Sequence, residues 1–157
     1  PRPITPFNQD NLLKSKAEDY MKITQGLESP YEHFKALDDF TIEEQMALLK
    51  SVLKKNLEQK ELNYDLLMSA YLTFDTENIL STDSKLTKEL VSEATWKKME
   101  LNFLVKRNKL FGERILELIK GNKLFIAVGA SHLGGKTGLL KQFKEAGFKL
   151  KPMQALD

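Results

Sequence analysis

The chain has 157 residues, room for one domain with its own core, and 41% are hydrophobic against 29% charged. That is the balance of a folded domain and not of a disordered one. Lys and Arg number 24 against 22 Asp and Glu, a formal charge of +2, which gives no electrostatic case for nucleic acid or an anionic membrane as main partner. The lack of cysteine excludes disulfides, cysteine-bound zinc and thiol catalysis.

The three prolines of Pro1-Arg2-Pro3-Ile4-Thr5-Pro6 predict an extended lead-in. With no initiator Met, this start reads as a cut point, and the chain is expected to be a fragment or a processed form. Asn8 or Asp10 is the candidate cap of a helix from about Asn11 to Tyr20. Tyr20–Thr24 alternates, which predicts a short strand ended by Gly26. Thr41-Ile42-Glu43-Glu44 is a capping box, and Leu48, Leu49, Val52 and Leu53 continue a helix to about Leu57. A second helix is expected from Tyr64 to Thr73. Residues 75–92 are polar and read as a loop with a short helix. The longest helix runs from Thr95 to Lys120, with Leu101, Leu104, Asn108, Phe111 and Ile115 on one face. Leu124-Phe125-Ile126-Ala127-Val128 is a continuous β-branched and aromatic run, the pattern of a fully buried strand. A glycine turn leads into a helix from Lys136 to Ala146, capped by Gly147, and Phe148–Lys151 alternates as a closing strand.

The expected architecture is helix-rich α/β, one domain over 1–157. A helical subdomain over 41–95 packs on a C-terminal α/β portion over 96–153, where strand, helix and strand make a right-handed parallel crossover. The helical faces at 41–73 either bury each other or form an oligomer contact.

The turn Gly129-Ala130-Ser131-His132-Leu133-Gly134-Gly135-Lys136-Thr137-Gly138 is the most informative stretch, since strand ends and helix starts are where α/β folds bind ligands. Ala130 to Thr137 fits a relaxed phosphate loop, but only 20 residues follow Thr137, too few for the later strands a nucleotidase needs. The other reading centres on His132. A neutral imidazole at the mouth of a crevice is a general base or a ligand for manganese, cobalt or zinc. A core or capping histidine fits as well. Ser131 lacks the glycine elbow of a serine nucleophile. Arg107 lies beside the apolar face of the long helix, where it either grips a carboxylate or oxyanion or snorkels. Asn108 falls within that face and must find a hydrogen-bond partner. Glu28 reads as a general base, a partner orienting a histidine, or a loop carboxylate.

Several of these residues form an ordered set. Arg107-Asn108, then Phe125–Val128, Gly129-Ala130-Ser131-His132-Leu133-Gly134-Gly135, Gly138-Leu139-Leu140 and Gly147-Phe148 resemble the C-terminal half of the TraB/GumN family. That family includes the Tiki proteins and bacterial pheromone-shutdown proteins. Gly26-Leu27-Glu28-Ser29 and Gln45 are similar to a segment further upstream in it. The resemblance implies a fold of the erythromycin-esterase/ChaN-like kind and a metal-dependent hydrolase site, with protease activity attributed to the Tiki branch. That site is described as two Gly-x-x-His motifs with acidic and arginine residues. Carried over, it makes Arg107 and Glu28 catalytic and His132 the ligand of a divalent metal (manganese, cobalt or zinc). Asn108, Gly129 and Ser131 then become binding residues. The substrate implied is a peptide or small molecule, and bacterial relatives imply an extracytoplasmic or membrane-associated setting. This chain holds one Gly-x-x-His only, because Pro30 stands three positions before His33. It is expected to carry part of a site, completed by an N-terminal half or a second chain, with a homo-oligomer as one arrangement. A ligand-binding protein of the same fold without turnover is the alternative, and nucleotide binding at 130–137 is the third.

Overall fold

The structure, a computed structural model, describes residues 8–153. The proline lead-in expected over Pro1–Pro6 lies outside the described residues. The first six helices each begin where a short polar side chain satisfies free amide groups. Asn8 caps α1 (Gln9–Asp19). Ser29 caps α2 (Pro30–Asp38), with Pro30 in the first turn and Glu32 closing a capping box. The predicted box of Thr41 and Glu44 opens α3 (Ile42–Lys54). Asn56 and Gln59 repeat the device for α4 (Leu57–Tyr71). Asp75 accepts two amides at the start of α5 (Thr76–Lys88), so 75–92 holds a full helix where a loop and a short one were expected.

Ser92 caps α6 (Glu93–Met99), which passes into a π-helical stretch (Glu100–Val105) and then α7 (Lys106–Leu118). The predicted long helix is thus continuous but wound wider in its middle, a feature that often accompanies function. The wide turns seat Asn102 inside, where it donates to Asp39 Oδ2 at 2.9 Å and accepts from Lys106 Nζ at 2.7 Å. A 3-10 turn (Ala130–His132) and α8 (Leu139–Glu145) complete the order.

The α/β expectation is overturned: among the described residues there is no strand and no sheet, and the fold is helical. A strand exists only where a neighbour takes up its amide and carbonyl groups. The three segments read as strands, Tyr20–Thr24, Leu124–Val128 and Phe148–Lys151, have no such neighbour. In the second, Phe125 is 81% exposed, while Ile126 and Val128 pack on the core of Phe111, Ile115 and Leu139. One side of that run is half-buried and the other exposed, and the strand–turn–helix–strand unit with its parallel crossover falls with it. The last helix starts at Leu139 and not Lys136, because Gly135 to Gly138 are spent on a turn: Gly135 has φ +83°. A Cβ on Gly138 would overlap the carbonyl oxygens of Leu133 and Gly134.

Leu27 and Phe143 complete the packing around the core of α7 and α8. α4 packs on α5, and α5 on the 130–132 turn. Among the described residues no helix is long and apolar enough to cross a membrane.

Candidate functional site

Glu28 sits one residue before the cap of α2, and Arg107 opens α7 just past the π-helical stretch. The two meet in a fork. Arg107 Nε donates to Glu28 Oε2 at 3.0 Å and Nη2 to Oε1 at 2.7 Å. A bidentate guanidinium–carboxylate pair fixes both partners in plane. Its side chains are only 21% and 14% exposed. The guanidinium also lies over the Phe111 ring, 5.3 Å from its centre. His33 adds a third contact, Nδ1 to Glu28 Oε1 at 2.9 Å. Burial pushes the Glu28 carboxyl up, but hydrogen bonds and charge from Arg107 and His33 outweigh it, and the carboxyl is held below its ordinary value.

His132 packs on the same Phe111 ring as Arg107 and is 9% exposed. Its Nδ1 stands 2.6 Å from Asn108 Oδ1, and its ring is tilted against Phe111 at 5.2 Å. An amide oxygen can only accept, so Nδ1 carries the proton and the lone pair falls on Nε2. Burial lowers the imidazole below its ordinary value and the charge of Arg107 lowers it further, against a smaller opposing effect of Glu28. The ring is therefore neutral at pH 7. Gln142 braces the arrangement by donating to the carbonyls of Asn108 and Thr137, both at 2.9 Å.

Four residues singled out from sequence, Glu28, Arg107, Asn108 and His132, are thus brought to one place, linked by bonds and by Phe111. Ser131 is not part of it: its hydroxyl donates to Asp83 Oδ2 on α5 at 2.9 Å, tying the turn to the helical region. Gly129 has φ −57°, and a Cβ there would make ordinary contact with His132 Cδ2 at 3.7 Å. Neither space nor backbone demands glycine at that position. His132 was expected at the mouth of a crevice, yet it lines neither of two grooves. One, of about 230 Å³, runs between α2 and α7 and includes Glu28, Arg107, Asp39, Asn102 and Lys106. The other, of about 440 Å³, borders the glycine turn with Glu77, Lys141 and Lys144. There the Gly135 amide already donates to Glu77 Oε1 at 2.7 Å, so an amide that a phosphate loop would turn on its ligand is held by the chain's own carboxylate.

Sequence reasoning missed the contributions of His33, Glu32 and Arg114. Arg114 grips Glu32 at 2.6 and 3.0 Å and the Leu27 carbonyl at 2.7 Å, holding the loop that carries Glu28. These bonds, with those from Ser29, lower the Glu32 carboxyl to about 2. Ser29-Pro30-Tyr31-Glu32 is a capping box with proline in the first turn, the signal that would have revealed α2 and hence His33.

A divalent metal finds a poor fit in this donor set. Among the described residues no group of three or more His, Asp or Glu stands where it could hold an ion. Both oxygens of Glu28 are engaged, and the cluster offers only single ring nitrogens, Nε2 of His132 and Nε2 of His33.

A buried neutral histidine, braced by an amide and set against a locked arginine–glutamate pair, defines a polar site built into a helical scaffold. The model of the TraB/PrgY/gumN family matches residues 5–152, and the chain belongs to that family. Comparison with curated proteins and with solved structures gave no match.

Proposed function

We propose that this chain carries the histidine–arginine part of a hydrolytic site acting on peptides, in line with the peptidase-like activity its resemblance implies. The observation that carries the reading is the Asn108–His132 hydrogen bond, which leaves Nε2 unprotonated on a ring that shares Phe111 with the Arg107 guanidinium. In this reading Nε2 takes a proton from the water that attacks the carbonyl carbon, and the imidazolium returns it to the leaving amine. Arg107 stabilises the developing oxyanion. Its Nη1 has only a long bond to the Phe103 carbonyl, 3.4 Å, and is the donor best placed to change partners. Glu28, with its oxygens engaged, orients Arg107 and His33 and is not the base. The peptide lies in the groove between α2 and α7 that Arg107 lines, and its scissile bond has to reach past Arg107 to His132, which stands outside that groove.

A second reading, ligand binding in that groove without turnover, is favoured by one fact: His132 does not line it. Hydrolysis of a pool of internally quenched peptides, with and without added Mn²⁺, Co²⁺ or Zn²⁺, separates the two. His132→Gln should lower kcat by about 100-fold or more, the usual worth of a positioned base, with circular dichroism unchanged. Peptide-induced thermal stabilisation without any product, or equal turnover by the folded variant, would sink the hydrolase.

A further inference from the structure

Helix α3 carries an apolar stripe that the chain itself leaves bare. Ile42, Met46, Leu49 and Leu53 are spaced 4, 3 and 4 residues apart, the d-a-d-a order of a coiled-coil seam. They are 68, 44, 50 and 68% exposed. The opposite side of the helix is the one tied down, by Glu44 on Lys98 Nζ at 2.7 Å and by half-buried Leu48. An exposed seam of this regularity calls for a partner helix.

The chain as a whole also has surface to spare for an interface. The chain exposes 12,550 Å², against about 8,000 Å² for a compact monomer of its mass. Granting the eleven terminal residues outside the described range the full surface of unfolded chain, about 1,800 Å², still leaves roughly 2,700 Å² in excess. A large permanent interface takes about 1,000–2,500 Å² from each partner.

Charge selects the partner. Glu43 and Lys50 lie seven residues apart on one flank of the seam, and Gln45 and Val52 lie on the other. When two copies of α3 run antiparallel about a two-fold axis, Ile42 stacks on Leu53 of the partner subunit and Met46 on Leu49 of the partner subunit. The same reversal places Glu43 beside Lys50 of the partner subunit, and symmetry repeats that pair. A parallel pairing sets the charged flank against Gln45 and Val52 of the partner subunit and gains no ion pair. We propose that α3 is the interface of an antiparallel homodimer of this chain.

Sedimentation equilibrium of the whole chain over roughly 1–100 μM, a span suited to a seam of four layers, reads the proposal directly. A dimer is expected. Leu49→Glu should raise its dissociation constant at least about tenfold, since it buries a charge in a central layer. Circular dichroism should not change, because the position is exposed in the single chain. Glu43→Lys and Lys50→Glu should each weaken the dimer severalfold, and the double variant E43K/K50E should restore it. A chain that stays monomeric, a dimer indifferent to Leu49→Glu, or a double variant weaker than either single one would overturn the antiparallel homodimer. A monomer would hand the seam to a different partner.

Discussion

Replacing Arg107 by methionine keeps the stem that packs on Phe111 and removes the fork on Glu28. Two charge-assisted hydrogen bonds are lost, and a carboxylate 14% exposed keeps His33 as its one remaining partner among those observed. Breaking a fully buried pair costs about 3–5 kcal/mol. The residual exposure and the surviving His33 contact reduce this to about 2–4 kcal/mol, still well above the ~0.5 kcal/mol of an ordinary surface change. At a urea slope of about 2 kcal/mol/M the midpoint should fall by about 1–2 M. Glu28→Gln added to Arg107→Met should cost far less than the two apart, a coupling of about 2 kcal/mol. The dependence on pH has a definite sign. The Glu28 carboxyl is lowered on folding from 4.5, so its contribution is complete above pH 4.5 and is lost as pH falls through the folded value. A loss below about 0.5 kcal/mol, or strict additivity of the two substitutions, would refute the view that the fork holds the 26–29 loop on α7.

His132 should show the linkage of a buried neutral imidazole. Burial and Arg107 lower it from 6.5, so the unfolded chain takes up its proton first, and stability should decline as pH drops below 6.5 and level off under the folded value. Melting curves of the wild type and His132→Gln from pH 8 to 5 check this, and the variant's curve should be flatter. Gly138→Ala should destabilise by about 3 kcal/mol or more, because the clash is with backbone. Gly121→Ala has φ +83° but nothing within 4 Å and should cost about 1 kcal/mol; equal losses in urea titrations would contradict this account of the turn. Thr41→Ala should cost about 1 kcal/mol through loss of the cap on Glu44 N, measured in the same titrations.

The helices were legible where caps and periodicity agree. Thr41 with Glu44 marked α3, and the stripe from Leu101 to Ile119 marked the long helix, though not its wide turns, since a change of winding leaves apolar spacing nearly intact. The strands were misread because a run such as Leu124–Val128 records only that a segment is apolar and β-branched; pairing depends on a neighbour that no local pattern contains. Glu28, Arg107, Asn108 and His132 were singled out by residue type and position and given roles by a family likeness, while their meeting in one cluster is a tertiary fact. The roles then shifted with geometry. Glu28 became an anchor once both its oxygens were seen to be held. Ser131 left the cluster for Asp83, and the amide of Asn108 took the histidine's Nδ1.

The tautomer of His132 tests the central claim most directly. Long-range ¹H–¹⁵N correlation spectra of the uniformly ¹⁵N-labelled chain at pH 7, with His132→Gln to assign the resonances, report which ring nitrogen bears the proton. Protonated Nδ1 beside an unprotonated Nε2 is the expected result. A doubly protonated ring, or a proton on Nε2, would mean that Asn108 does not prepare a base at this position.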